Sequence, residues 1–414
     1  MKVAPGENRL TAEPLRRELT VVPAKHMEGM TRLLVPRVSL TKDPPPTSPV
    51  FFNPAASLNR DVSVAMASAL GTKTFCDSMA GVGARGLRLA NEVEKVERVS
   101  LVDFNSAAMK LGRKAASLNH VVRKCEFAVS ETSSYLYSRF GRDARFAGVD
   151  VDPFGSPVRQ IPGALCATAD GGVLSITATD SAVLCGLYPK VSVRRYGGMP
   201  LNNHFRHETA IRVLAGSVAR SAGANDIGVE PIASHSTRHY LRLYFRVRAG
   251  ASKADESLGK LGYLLWCPAC GHTSTALGAV PVCASCGKKA KFAGPLWTGP
   301  LTDSMVLGAA RKAAVGRGLM NAADIFGGLE GFDNYPPWSY SIEGICSALG
   351  MATVPESSVY RSLREAGFSA MRTPFEKTGL KTVASQEEVV SAVKDSVGRK
   401  DEAETALPRA RAAP

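Results

Sequence analysis

Phe75-Cys76-Asp77-Ser78-Met79-Ala80-Gly81-Val82-Gly83-Ala84-Arg85-Gly86 is the stretch whose reading decides the fold. The short run Thr74–Asp77 reads as a strand, and Ala84–Glu92 behind it reads as a helix. Glycines between the two let the backbone turn tightly and approach a ligand. Outward from there, Val99–Asp103 reads as a strand, Ser106–Asn119 as a helix and Cys125–Val129 as a strand. Phe146–Asp150 and Val173–Thr177 continue the series, and a helix starts upstream near Ser57 or Asn59. Short apolar runs alternating with helical segments imply βαβ units, a mainly parallel sheet and an α/β fold. Ligands of such sheets lie at the carboxyl ends of the strands.

Gly81, Gly83 and Gly86 spell Gly-x-Gly-x-x-Gly, a string shared by dinucleotide dehydrogenases and methyltransferases, and many such turns merely pack a helix on a sheet. Two acids sharpen the reading. Asp103 ends the next strand about twenty residues beyond Gly83, where a carboxylate can accept both hydroxyls of a ribose. Asp77 precedes the loop, where it suits a cationic ligand such as S-adenosylmethionine and would repel a pyrophosphate. A methyltransferase is favoured over a dehydrogenase.

The strand Phe146–Asp150 runs into Val151-Asp152-Pro153-Phe154-Gly155-Ser156-Pro157, which puts Asp152 at the same sheet edge as the glycine loop. A carboxylate followed by proline and an aromatic ring fits methylation of a planar exocyclic amine. The lone pair of such an amine is delocalised into the ring, so an acceptor for its N–H makes the nitrogen a better nucleophile. The aromatic ring stacks on the base, and proline stiffens the loop. The plainer reading is a β-turn, since Asp-Pro and Phe-Gly are ordinary turn chemistry. Phe51, in Pro49-Val50-Phe51-Phe52-Asn53-Pro54, is either core packing or the opposite wall of a base pocket.

Composition agrees with a globular protein that meets a polyanion. The 414 residues carry 51 Lys+Arg against 37 Asp+Glu, a formal net charge of +14. Apolar residues make up 45%, which excludes a disordered chain, a collagen and a disulfide-dense miniprotein. No run approaches the ~20 apolar residues of a membrane span, and the polar Met1–Thr20 segment lacks the apolar core of a signal peptide. A cytoplasmic protein is expected. Of nine cysteines, five are scattered and four form the pairs Cys267-Pro268-Ala269-Cys270 and Cys283-Ala284-Ser285-Cys286, each followed by a glycine. Four thiolates at this spacing suit a closed, structural Zn2+ site; a redox pair is the rival reading.

Taken together, Phe51-Phe52-Asn53-Pro54 through Asn59-Arg60-Asp61, the Asp152-Pro153-Phe154-Gly155 element, Thr177-Ala178-Thr179-Asp180, Cys185-Gly186 and Gly294-Pro295-Leu296-Trp297-Thr298-Gly299-Pro300-Leu301 resemble the tRNA (guanine26-N2)-dimethyltransferase family. The resemblance runs from about Pro49 to Leu301 and more weakly beyond. It implies a class I, Rossmann-like methyltransferase sheet, a C-terminal domain that helps hold tRNA, and two methyl transfers from S-adenosylmethionine to guanine N2. It further implies that Arg60 and Arg85 contact the cofactor, with Asp103 on its ribose and Glu131 near its adenine. Ser130 departs there from the expected acidic pair. Asp152 would engage the guanine amine, Phe51 and Phe154 would stack on the base, and Asn53 would line the pocket. Asp77, Gly81 and Gly83 complete the cofactor set.

Acid-free basic stretches offer a phosphate track: Lys190, Arg194, Arg195 and Arg206; Arg238, Arg242, Arg246 and Arg248; Lys288, Lys289 and Lys291. Solvated faces would explain them equally simply. His204, His207, His235 and His239 are assigned to turns or tRNA contacts, not to catalysis. The expected organisation is an irregular arm over 1–50, a methyltransferase domain over 51–250, an α+β tRNA-binding domain over 251–397 and a disordered tail over 398–414. Within the third, 261–300 is the zinc segment, 250–260 reads as a linker or surface turn, and the region from Ser341 suggests a winged-helix-like unit offering Arg361, Arg364, Arg372 and Lys381 to RNA. A monomer is expected. Rival functions are methylation of adenine or protein glutamine, and a non-catalytic RNA-binding zinc protein.

Overall fold

A computed structural model describes residues 21–141, 144–376 and 378–397. The segment 398–414, read as a tail, lies outside the described residues, as do 1–20.

The centre of the molecule is a seven-stranded sheet. Its strands are β3 (Thr74–Asp77), β4 (Arg98–Asp103), β5 (Cys125–Val129), β6 (Phe146–Val151), β7 (Thr168–Ala178), β8 (Ile227–Thr237) and β9 (Tyr240–Ala249). Their order is β5-β4-β3-β6-β7-β9-β8, with all strands running in one direction except β9, which is antiparallel to both β7 and β8. The helices Ala84–Glu92 and Ser106–Leu118 supply the crossovers after β3 and β4. The chain moves outward from β3 through β4 to β5, then returns to lay β6 on the other side of β3. This reversal between β3 and β6 opens a crevice at the carboxyl ends of the two strands, where Asp77 and Asp150 are register partners. The parallel α/β reading therefore holds.

Two readings need correction. Residues 23–36 are not irregular: β1 (Pro23–Glu28) pairs antiparallel with β2 (Thr31–Pro36). Thr31, Leu33 and Val35 alternate inward and are fully buried, and burying each apolar side chain stabilises the hairpin by roughly 1.5–3 kcal/mol. The two strands are short, and Met27 and Met30 point to solvent, so the alternation is weak in the sequence. Residues 250–260 are not a linker either. Gly250 is followed by a helix, Ala251–Leu258, whose Ser257 hydroxyl bonds both N–H and C=O of Val229 on β8.

Beyond it, β10 (Leu261–Trp266), β11 (Thr273–Ala276) and β12 (Lys291–Trp297) form a three-stranded antiparallel sheet carrying the paired cysteines. Leu264, Leu296 and Trp297 join the core of the central sheet, and so do Leu307, Phe326 and Phe332 from the helical stretch that follows. A separate core around Val359, Leu363 and Val389 holds the last unit. There β13 (Tyr340–Ser341), two helices (Ile342–Ala348 and Glu356–Glu365), β14 (Ala370–Arg372) and β15 (Gly379–Thr382) give a winged-helix arrangement with sheet order β13-β15-β14.

Candidate active site and metal centre

A cavity of ≈ 330 Å³ opens at the carboxyl ends of β3, β4 and β6. Asp77, Gly81, Asp103 and the largely exposed Phe104 line it from the β3–β4 side. Phe51, Asn53, Asp152, Phe154, Thr177 and Tyr240 line it from the other. Asp103 pins the glycine loop: its Oδ2 accepts the Gly81 N–H at 2.8 Å and its Oδ1 accepts the Asn105 N–H at 2.8 Å. Gly83 does not reach the cavity. It holds φ 81°, and a Cβ there would stand 2.7 Å from Leu101, so only glycine lets the following helix pack on β4. Asp77 is buried and accepts the Gly86 N–H at 2.9 Å. Burial raises its pKa to about 7, against the pull of Arg85.

Asp152 stands just past β6, partly exposed to the cavity. Its Oδ2 receives an N–H from Arg85 and, at 3.4 Å, one from Asn59. The Phe51 and Phe154 rings line the same cavity as this carboxylate and contact each other, with centroids 4.7 Å apart at 74°. They meet edge to face rather than as parallel walls, so a base entering between them must part them. Phe154 is 68% exposed and precedes Gly155 at φ 79°, which leaves it room to move.

The remaining predicted residues are placed as follows. Arg60 lines the cavity, but its guanidinium grips Glu28 of the hairpin at 2.6 and 2.5 Å and donates to the Asn53 carbonyl at 3.0 Å. Asn53 in turn accepts the Ala55 N–H, capping a short turn. Arg85 faces two aspartates, Asp150 and Asp152. Glu131 is not among the cavity-lining residues. It caps the helix Thr132–Tyr137 by accepting the N–H groups of Ser133 and Ser134, which lower its pKa.

Cys267, Cys270, Cys283 and Cys286 converge, with all four sulfurs within 4.8 Å of one another. The Cys267–Cys286 and Cys270–Cys283 sulfurs stand 3.6 and 3.7 Å apart. A tetrahedral ion with Zn–S bonds of ~2.3 Å needs sulfurs about 3.8 Å apart, so the donor set fits zinc. Gly271 and Gly287, at φ 78° and 69°, close the two turns by donating to the carbonyls of Cys267 and Cys283. All four positions are filled by protein, so such an ion is structural.

A model of the N2,N2-dimethylguanosine tRNA methyltransferase family matches residues 29–394. The chain belongs to that family. Among relatives, it is 35% identical over 373 residues to the tRNA (guanine(26)-N(2))-dimethyltransferase of Methanothermobacter thermautotrophicus, covering 87% of this chain and 96% of the relative. It is 36% identical over 374 residues to the Methanopyrus kandleri enzyme of the same name, covering 90% and 96%. The solved structure of Trm1 from Pyrococcus horikoshii with S-adenosyl-L-methionine superposes with a TM-score of 0.79 at 30% identity, over 89% of this chain and 99% of that one.

In this dimethylguanosine methyltransferase family member the basic stretches divide. Lys190, Arg194, Arg206, Arg248, Lys288 and Lys289 are exposed, whereas Arg195 pairs with Asp180. Two cations read as candidates for phosphate are elsewhere. Arg242 is 0% exposed and paired with Asp150; Lys381 is equally buried against Glu208 at 2.9 Å. Both sit in strand segments buried on both faces, and charge alone could not show it. His204 and His207 contact the winged unit through the Ser339 carbonyl and Glu376, and His235 is buried. The sequence reading missed Asp150, Thr177 and Tyr240 as parts of the site. Asp150 had a signal: it lies two residues before Asp152, near the carboxyl end of β6.

Proposed function

We propose that this chain transfers two methyl groups from S-adenosylmethionine to the exocyclic N2 of guanine 26 in tRNA, giving N2,N2-dimethylguanosine. The observation that carries the reading is Asp152, partly exposed in a cavity that two aromatic rings, Phe51 and Phe154, also line, beside a glycine loop pinned on Asp103. Membership of the N2,N2-dimethylguanosine tRNA methyltransferase family supplies the substrate class.

When bound, the cofactor supplies an electrophilic sulfonium methyl. Asp103 receives the ribose hydroxyls, Gly81 lets the backbone approach, and Asp77, Arg60 and Arg85 surround the charged end. Glu131 faces the adenine only if its cap on the helix Thr132–Tyr137 opens. The guanine leaves its stack and enters between Phe51 and Phe154, which part to sandwich it, with Asn53 on the pocket wall. Asp152 would accept an amine N–H while the nitrogen attacks the methyl carbon in line; the methyl–sulfur bond would break as the N–C bond forms, leaving S-adenosylhomocysteine, and the amine proton would pass to Asp152 and on to water. For the second transfer the monomethylated amine rotates beside Asp152. Zn2+ on the four cysteines stiffens a segment that has little core of its own. The zinc segment and winged unit, with the exposed lysines and arginines, hold tRNA phosphates. The protein works as a cytoplasmic monomer, with 51–250 the catalytic domain and 251–397 the tRNA-binding one.

Replacing Asp152 by Ala tests the assignment. Transfer should fall by at least ~10²-fold while tRNA binding stays near the parent value. Unchanged transfer would remove Asp152 from the mechanism.

A further inference from the structure

We infer that Arg242, a wholly buried residue on β9, is a positioning residue for methyl transfer, acting through Asp150 and Arg85 on Asp152. The inference rests on the reading of Asp152 as the amine-engaging carboxylate.

Four charges alternate behind the cavity wall. Arg242 donates through Nη2 to Asp150 Oδ1. Asp150 Oδ2 lies 2.9 Å from Arg85 Nε, close enough for an ion pair but not aligned for a hydrogen bond. Arg85 Nη2 then donates to Asp152 Oδ2. The order Arg242–Asp150–Arg85–Asp152 is neutral overall, and its first three members are buried. Ser63 ties the two arginines together, because its hydroxyl accepts from Arg85 Nη1 and from Arg242 Nη2. Arg242 also donates to Thr177 Oγ1 at 2.6 Å and to Tyr244 Oη at 3.1 Å. Thr177 lines the cavity, so the same guanidinium fixes a piece of its wall.

The arrangement has a direct consequence at Asp152. Its contacts from Arg85 and Asn59 both fall on Oδ2. Oδ1 is therefore the oxygen that meets the amine, and its direction is set by how Arg85 holds the other one. Arg85 is shared between two carboxylates. With Arg242 present, Asp150 has a well-aligned cation of its own. Without it, Asp150 is a buried carboxylate whose nearest cation is Arg85, and the attraction in that low-dielectric setting draws Arg85 away from Asp152. Stability alone gives little reason for such a quartet, since buried ion pairs are often replaceable by apolar side chains. Holding Asp152 in one orientation does give a reason.

The test compares Arg242→Met, Arg242→Lys, Ser63→Ala and Asp152→Ala in the full chain. The measurements are single-turnover methyl transfer to unmodified tRNA, the dissociation constants for S-adenosylmethionine and tRNA, and thermal unfolding. Arg242→Met should slow transfer about 10²-fold and Ser63→Ala several-fold, with the tRNA dissociation constant within about twofold of the parent and the S-adenosylmethionine constant, which the shifted Arg85 also affects, changed far less than the rate, as expected when a catalytic group is misplaced by about an ångström. Arg242→Lys, which keeps a charge on Asp150, should recover part of the loss. Loss of folded protein without loss of rate per folded molecule, or a rate loss accounted for by weaker binding, overturns the inference. So does parent-rate transfer by Arg242→Met. Where Arg242→Met does not fold, the milder Ser63→Ala decides in the same way. Asp152→Ala separates the levels: if it is slow while Arg242→Met is normal, only the inference fails; if it transfers normally, the reading of Asp152 fails.

Discussion

His235 and Asp77 should give the protein opposing pH dependences that hide each other. His235 is buried on β8; its Nδ1 meets Thr237 Oγ1 at 2.8 Å, and its Nε2 has no partner among the described residues. Burial, aided by the Arg242 charge, pushes its pKa down to about 3 from 6.5. Its folded pKa is depressed, so its contribution is complete above pH 6.5 and lost as pH falls, because only the unfolded chain takes up the proton. From pH 7 to pH 5 this costs about 2 kcal/mol, at ~1.36 kcal/mol per pH unit below 6.5. Asp77 runs the other way. Burial raises its pKa to about 7, so the native state takes up a proton as pH falls from 7 while the unfolded carboxyl, at 3.8, does not. The same interval therefore stabilises the fold by about 2 kcal/mol. The parent should show little net slope from these two groups. His235→Gln should make the protein about 2 kcal/mol more stable at pH 5 than at pH 7, relative to the parent, and Asp77→Asn should do the reverse. Urea unfolding of the three proteins at both pH values measures the differences. Parallel pH dependences in all three would refute the reasoning.

Other outcomes follow from the buried charges and the cysteines. Arg88 is fully buried against Glu28, Asp61 and Glu92 and joins the hairpin to the helix Ala84–Glu92. Arg88→Met should destabilise by ~3–5 kcal/mol, since it leaves carboxylates buried without their cation; a urea-unfolding change below ~1 kcal/mol would contradict this. Purified protein should carry one zinc per chain by metal analysis, lost in a Cys267→Ser/Cys283→Ser double variant. The knuckle at Gly271 packs so closely on Gln386 that a Cβ would stand 2.6 Å from its Nε2. Zinc loss should therefore speed amide exchange in the helix Gln386–Asp395, and a metal-free protein with unchanged exchange would refute the site.

Much of the cofactor side was legible in the sequence, because its signals are local. A strand, a glycine turn and an acid at the next strand end need only periodicity and spacing, and Asp77, Gly81 and Asp103 do line one cavity. The cysteine pairs were legible for the same reason. Long-range pairing was not. Nothing near Arg242 announces that Asp150, 92 residues away, will neutralise it, and Lys381 meets Glu208 only because the winged unit docks there. The hairpin at 23–36 was missed because its two strands are short and the first buries only Glu28, so no apolar alternation marks that strand. Arg60 shows a further limit: its partner Glu28 lies in that unrecognised hairpin.

The central claim is the identity of the product. Unmodified tRNA incubated with the purified chain and isotope-labelled S-adenosylmethionine, then digested and sequenced by mass spectrometry, reads both base and position. The account predicts labelled N2,N2-dimethylguanosine at position 26, with N2-methylguanosine appearing first. Label on adenine, on guanine elsewhere alone, or on no nucleotide would contradict it.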